Sequence, residues 1–414
     1  MKYQNDIDKM NTNRNLFLMS LPIFVELLLQ LLVGNVDQMM VSRVSQPSVA
    51  AIVNANQIMN LVIIVLSMAS TAVTVILSQY LGAQDEKNAS RTCMVSIVLI
   101  GGVSLAATIL VFAGHTPLYR AIHVPEEVFD EASLYLLIVG AFILVQGFYL
   151  TFSAMIRAFA MVKEVMIISV IMNAMNIVGN AILIFGFHMG VAGAALSTLI
   201  SRIFCAIVVM YFLRSPKEEI CVRDYIKIRP DRHKIKMILA LGIPTGIENG
   251  MFQFGKLAIQ STVSTLGTAA IAAQAMTNIL ENLNGIAAIG IGIGLMNVVG
   301  ECIGAGRKDE AIYYTKKMCL VSEVVIIISC LLVFALTKPI IHLGGMSAES
   351  GRMCFFMVTW ITIIKPIVWV PAFIPAYSMR AAGDVKFSMI LSCTTMWLCR
   401  VTLCVVLCRV FGFG

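Results

Sequence analysis

The sequence predicts an all-α polytopic membrane protein made of two parallel six-helix repeats, and three observations carry that prediction. The first is composition: 59% of the 414 residues are hydrophobic and only 13% charged, with a mean hydropathy of +0.88. So little charge cannot coat a water-facing surface of that size, which excludes a string of two or three soluble domains. The second is the length of the apolar runs, which reach the ~20 residues a helix needs to cross ~30 Å of hydrocarbon. A transmembrane barrel would instead show alternating segments of about ten residues. The third is an internal repeat at 222–226 residues.

Windows of about 20 apolar residues place eleven spans. They lie near 15–41, 49–80, 91–113, 128–156, 164–186, 191–213, 235–266, 269–302, 311–337, 352–378 and 387–411. Alternating the loops between two sides puts 21 Lys and Arg residues on the side of the N-terminus and 5 on the other: Arg43, Arg120, Lys338, Arg352 and Arg409. The positive-inside rule makes the first side cytoplasmic. Topology therefore accounts for the net charge of +7, and no nucleic-acid partner is needed. The basic stretch 214–234 reads as a cytoplasmic linker between an N-lobe, 1–213, and a C-lobe, 235–414. The polar start of the chain precedes a span with no small-residue cleavage site, so that span reads as retained and not as a signal peptide.

The repeat aligns "SLPIFVE" (20–26) with "GIPTGIE" (242–248), matching Pro22 to Pro244 and Glu26 to Glu248. It aligns "LGAQDEK" (81–87) with "IGAGRKD" (303–309), "IRAFAMVK" (156–163) with "MRAAGDVK" (379–386), and the two "FGF" tripeptides. Six spans is an even number, so both halves enter the membrane from the same side, as in transporters with parallel repeats. A sixth span follows the first "FGF". By the repeat, a twelfth span is expected after the second, absent from 235–414.

Several readings are excluded. The eleven cysteines form no CxxC pair; Cys404 and Cys408 share one apolar helix and read as packing. "GIAAIGIGIGLMNVVG" (285–300) follows no strand, so its glycines read as close helix packing rather than a nucleotide loop. No G-x-x-x-x-G-K-[ST] is present, against an ATP-driven pump. The five histidines are scattered in loops and span ends, so no catalytic set suggests an enzyme. No cofactor is expected.

Inside the spans lie residues that hydrocarbon does not tolerate without a reason. Asp37, near the outer third of span one, costs roughly 2.5–3.5 kcal/mol on insertion scales. Glu26, Gln30, Val33 and Asp37 share one helical face, as do Asn173, Asn176 and Asn180 on span five. Asp37, Asn180 and Thr198 fall at similar depth in the outer half of one lobe. A carboxylate with amide and hydroxyl oxygens nearby suits a proton or a hard cation such as Na⁺; asparagine and threonine also serve as interhelical hydrogen-bond glue. The second lobe does not copy this set: position 37 maps near Ile259, 176 near Thr402 and 180 near Val406. Its own charges are Glu248, Lys256, Glu281 and Lys365. Glu26 and Glu248 read equally as cavity lining or as structural partners, and Lys256, Glu281 and Lys365 as a Lys–Glu network. Pro366, Pro371 and Pro375 interrupt span ten and mark kinks there, as Pro22 and Pro244 do early in spans one and seven.

One set of segments stands out by its order and duplication: the proline-containing starts of spans one and seven, "VDQMMVSR" (36–43), "LGAQ" and "IGAG", "MNIVGNAILIFGF" (175–187), "GVAGAALSTLISR" (190–202) and "MRAAGD" (379–384). Together these resemble the multidrug and toxic compound extrusion (MATE) family, with span seven most similar to its DinF-like bacterial branch. The resemblance implies a twelve-helix exporter in a bacterial inner membrane. Such an exporter carries a small organic, drug-like or amphipathic substrate by antiport against H⁺ or Na⁺. It further implies an N-lobe cation or proton site at Asp37, Asn176, Asn180 and Thr198. Asn180 departs from the aspartate often found there, so one carboxylate would neutralise the ion. Lys256 and Lys365 could instead favour an anionic or zwitterionic substrate, and a flippase for lipid-linked saccharides is the alternative. Membrane lipid is the other expected partner, and the chain is expected to act as a monomer.

Overall fold

A computed structural model describes residues 13–42, 46–121, 126–214 and 231–409. Within these stretches the side chains of Asp37 and several of its neighbours fall outside the description, as does most of the 214–234 linker. The described residues are helical almost throughout, with no strand. The helices are α1 (Asn13–Ser42), α2 (Gln46–Gly82), α3 (Glu86–Ala121), α4 (Glu126–Gly140), α5 (Ile143–Ala158), α6 (Val162–Asn180) and α7 (Gly190–Arg214) in the first half. The second half holds α8 (Arg232–Val263), α9 (Thr268–Gly304), α10 (Lys308–Leu343), α11 (Ala348–Ala381), α12 (Val385–Thr394) and α13 (Thr402–Arg409). π-helical turns at Ala181–Gly186 and Thr395–Val401 extend α6 and join α12 to α13.

Each expected span has its helix, with one departure. Span four is α4 and α5, bent by 49° at Ala141–Phe142, where no proline stands. Span ten keeps its three prolines inside one helix, α11. Neighbouring helices can re-satisfy the backbone groups a proline frees in a membrane. Of the described helices, eight are long and apolar enough to cross a bilayer, or nine with the bent pair counted as one span. α8, the lead helix of the second repeat, falls below that measure, while α1, the lead helix of the first, is apolar along its described stretch Leu16–Leu32. α8 carries Arg232, Lys234, Lys236, Glu248 and Lys256.

The chain packs as two compact units, Val25–Gly246, and Met1–Phe24 together with Ile247–Gly414. Both divides fall inside a lead helix, two residues past Pro22 and Pro244. In the first unit α2 packs against α3, α4 and α5, and α6 against α7; in the second, α9, α10 and α11 pack mutually. Lipid offers no hydrophobic drive between helices, so these contacts rest on close fit and on polar links. Tyr119, fully buried, donates from its hydroxyl to the Ala132 carbonyl at 2.8 Å and ties α3 to α4.

The lead-helix contacts mirror one another. In the second unit a Cβ on Gly290 of α9 would lie 3.2 Å from the Phe24 nitrogen of α1. In the first unit a Cβ on Gly246 of α8 would lie 2.5 Å from the Met68 sulfur of α2. Phe24 and Gly246 are equivalent in the repeat, and so are Met68 and Gly290. Each contact therefore sets glycine against a larger residue, with the glycine on opposite partners.

The loop turns repeat as well. At the end of α2, Gln84 N–H donates to the Leu81 carbonyl and Asp85 N–H to that of Tyr80; at the end of α9, Gly306 donates to Ile303 and Arg307 to Cys302. The ends of α5 and α11 share the same pair of bonds, Ala160 to Arg157 and Met161 to Ile156, and Gly383 to Arg380 and Asp384 to Met379. These are Schellman-type stops, whose C′ residue takes the left-handed conformation. In the first half that residue is Gln84 (φ 56°) or Ala160 (φ 60°); in the second it is glycine, Gly306 (φ 74°) or Gly383 (φ 91°).

Candidate functional site

The asparagine face of α6 forms as the spacing predicts. Asn173, Asn176 and Asn180 are all buried, Asn180 to 1% exposure. Asn176 Nδ2 donates to Thr198 Oγ1 of α7 at 3.2 Å, and Ser197 Oγ donates to the Asn176 carbonyl at 2.8 Å. α6 and α7 come this close because position 179 is glycine: a Cβ there would sit 2.5 Å from Ser197 Oγ. Asn173 Nδ2 is buried with no acceptor among the described residues. Asn180 is the last residue of α6, immediately before the π-helical turn, a local widening often found at functional sites. Asp37 lies in α1, but its side chain is outside the described residues. The structure thus brings Asn176 and Thr198 together and adds Ser197, which the sequence pattern alone did not single out.

Glu26 and Glu248, for which two roles stood open, each face an arginine. Glu26 Oε2 lies 3.6 Å from Arg157 Nη1, with the carboxylate side chain 3% exposed. Glu248 Oε1 lies 2.9 Å from Arg380 Nη2. The two pairs are repeat equivalents, joining the lead helix of each repeat to the last turn of its fourth span. Their neighbours differ: Gln30 Nε2 donates to Glu26 Oε1 at 3.4 Å, whereas Ser392 Oγ donates to Glu248 Oε1 at 2.7 Å and Ser388 Oγ lies 3.4 Å from both oxygens. Ser169, the counterpart of Ser392, bonds the Tyr149 hydroxyl at 3.0 Å instead. Two buried charges at this distance hold each other, and each carboxylate has its counter-charge in place.

The second unit holds a separate cationic cluster. Lys365, 8% exposed, donates from Nζ to the Asn284 side-chain oxygen and, at 3.0 Å, to the Glu281 carbonyl. Its distance to Glu281 Oε1 is 4.0 Å. Asn284 is one turn past Glu281 on α9 and was not among the sequence candidates; a buried lysine opposite an i, i+3 Glu–Asn pair is the signal that points to it. Lys256 lies 5.1 Å from the Phe252 ring centroid, and Arg400 lies 5.9 Å from the same centroid. Of the expected network, Lys365 and Glu281 meet directly, while Lys256 turns to an aromatic face. No cluster of three His, Cys, Asp or Glu side chains is present among the described residues.

Duplicated helical halves, buried charge pairs and a polar face inside apolar helices define a multi-span membrane transporter. Comparison with known proteins supplies the family. The MatE family model matches residues 22–182 and 244–406, one copy in each half, and the chain belongs to that family of transporters, which are not enzymes. It is 29% identical over 406 residues to the uncharacterized transporter YisQ of Bacillus subtilis (strain 168), covering 97% of this chain and 88% of that protein. It is 25% identical over 410 residues to the probable multidrug resistance protein NorM of Thermotoga maritima, covering 97% and 87%. Among solved structures, a MOP superfamily transporter from Pyrococcus furiosus superposes with a TM-score of 0.88 at 17% identity, over 95% of this chain and 87% of that one. A multidrug resistance MATE transporter in an outward-facing conformation also gives 0.88 at 17% identity, over 94% and 86%. The protein is thus a multi-span member of a bacterial transporter family.

Proposed function

We propose that this protein is a secondary active exporter of a small organic, amphipathic substrate, driven by antiport of H⁺ or Na⁺. The coupling ion binds in the first half, at Asp37, Asn176, Asn180 and Thr198. The buried amide–hydroxyl face of α6 and α7 is the observation that carries this reading. Burying Asn173, Asn176 and Asn180 together costs free energy unless their polar atoms are used, and amide and hydroxyl oxygens are ligands for a hard cation. Asp37 supplies the one carboxylate, which either titrates or neutralises Na⁺. The similarity to NorM proteins, described as multidrug resistance proteins, supports efflux of drug-like compounds. Charge placement supports a cytoplasmic N-terminus.

A second reading, a flippase for lipid-linked saccharides, draws on the cations of the second half, Lys256, Lys365 and Arg400. One solved relative is described as having a binding pocket of reverse polarity that suggests a different function. Proteoliposomes separate the two. Exporter chemistry predicts that an imposed pH or Na⁺ gradient drives efflux of a fluorescent organic cation or zwitterion by the wild type, and that Asp37→Asn abolishes the gradient dependence. Gradient-independent movement of a labelled lipid-linked sugar, with no organic-ion efflux, would establish the flippase instead.

A further inference from the structure

The far end of α10 and the start of α11 enclose a cavity of about 840 Å³ that the transport reading does not use. Its charged and titratable lining residues are Lys338, His342 and Arg352; no carboxylate lines it, since Glu349 stands outside. Only five Lys and Arg residues face this side of the membrane by the loop assignment, and two of them converge here.

Apart from Ser347 and Thr359, the rest of the cavity is aromatic and apolar. Phe355, Phe356 and Trp360 line it, with Phe356 65% and Trp360 50% exposed. Lys338 Nζ lies 5.2 Å from the Phe355 ring centroid, and the Phe356 and Trp360 rings meet edge-on at 6.3 Å. Arg352 Nε donates to the Ala348 carbonyl at 3.2 Å, which fixes the stem of the side chain through one of its five N–H groups and leaves both terminal nitrogens clear of that bond. Arg352 and Trp360 are eight residues apart, about 12 Å along the helix. Cations thus sit at one end, at the level of lipid head groups, and exposed aromatic rings run from there toward the acyl chains, where Trp belongs in a membrane protein.

We propose that this cavity binds an anionic phospholipid of the outer leaflet, with its phosphate between Lys338 and Arg352 and its upper acyl chain against Phe356 and Trp360. Charge complementarity selects an anionic head group over a zwitterionic one. The length of the aromatic wall selects an amphiphile over a free anion, which would use the cationic end alone. The site rests on the positive-inside orientation only for the leaflet it draws from.

The test uses the full chain in neutral detergent, titrated with phosphatidylglycerol or phosphatidylcholine and read by native mass spectrometry and thermal melting. Phosphatidylglycerol is expected to be retained and to raise the melting temperature more than phosphatidylcholine. The Lys338→Gln/Arg352→Gln variant is expected to lose phosphatidylglycerol affinity on the order of thirtyfold, the factor that ~1 kcal/mol for each of two basic groups near a membrane surface gives. Its phosphatidylcholine affinity and its melting temperature without lipid should match wild type. Phe356→Ala/Trp360→Ala should weaken binding as well. Unchanged phosphatidylglycerol affinity in either variant overturns the proposal. So does inorganic phosphate reproducing the lipid's stabilisation at equal concentration, which would mark a free-anion site.

Discussion

The two halves of this chain are alike where they fold and unlike where they hold charge and amides within the membrane. The duplicated features are the Schellman turns, the Glu–Arg pairs and the glycine contacts of the lead helices, and all stop, tether or pack helices. The asparagine–threonine face belongs to the first half alone, where its counterparts in the second half are near Thr402 and Val406. The Lys365–Asn284–Glu281 cluster belongs to the second half alone, where equivalent positions in the first half include Val62 and Met59. Duplication thus separates what the architecture needs twice from what the protein needs once. Asn180 and Lys365 are both buried, yet neither is demanded by the fold, because the other half folds without it.

The largest effect that bears on this comparison is expected at the ion pairs. Removing one partner of a buried pair strands the other charge, at a cost of about 3–5 kcal/mol. Arg380→Ala should lower the melting temperature more than Arg157→Ala, because the Glu248 pair closes to 2.9 Å whereas the Glu26 pair stands at 3.6 Å. Equal losses would mean that the shorter distance adds nothing.

Next come the lead-helix glycines. Gly290→Ala presses a methyl against the Phe24 backbone, at 3.2 Å from its nitrogen and 3.3 Å from its Cα, and should destabilise by about 1–3 kcal/mol. Gly246→Ala meets the flexible end of Met68 and should cost less; a Gly246→Ala/Met68→Ala double variant should recover most of that loss. Melting curves of the three proteins in one detergent decide the order.

The turns give a smaller, signed effect. Gly383→Ala places a Cβ in a left-handed conformation and should destabilise by about 1 kcal/mol. Ala160→Gly relieves that same strain in the other half and should be neutral or stabilising. Opposite responses in denaturant melts would support equivalence of the two turns.

The smallest effect is expected at Asp85, outside the spans. The Asn88 side-chain amide and then the Asn88 backbone N–H hold its carboxylate ionised and depress its pKa. A depressed folded value means that this contribution is complete above the unfolded pKa and fades as pH falls through the lower folded one. Asp85→Asn should therefore lower stability slightly at neutral pH, match wild type in acid, and so flatten the acid limb of the stability profile.

Much of this was legible in the sequence because a bilayer leaves few choices. Apolar run length gave the spans, and the match of Pro22 to Pro244 and of Glu26 to Glu248 exposed the repeat. The periodicity of Asn173, Asn176 and Asn180 placed one buried face correctly. Pairings across helices were not legible. Arg157 and Arg380 stand in the quoted repeat motifs, but nothing local says that they reach back to Glu26 and Glu248. Asn284 and Ser197 matter because of what packs opposite them. The bend at Ala141–Phe142 had no proline to announce it. Gly140 beside it lies where a Cβ would be 2.9 Å from Val111 of α3, so that approach was set by tertiary packing.

The central claim is that ion coupling resides in the half that carries the amide face. The most direct measurement gives each half the other's residue at one equivalent position and compares gradient-driven efflux in proteoliposomes at matched protein content. Asn180→Val should lose dependence on the imposed pH or Na⁺ gradient while the variant melts as a folded protein, and Val406→Asn should transport as wild type does. Gradient dependence that survives Asn180→Val and disappears in Val406→Asn would contradict the account.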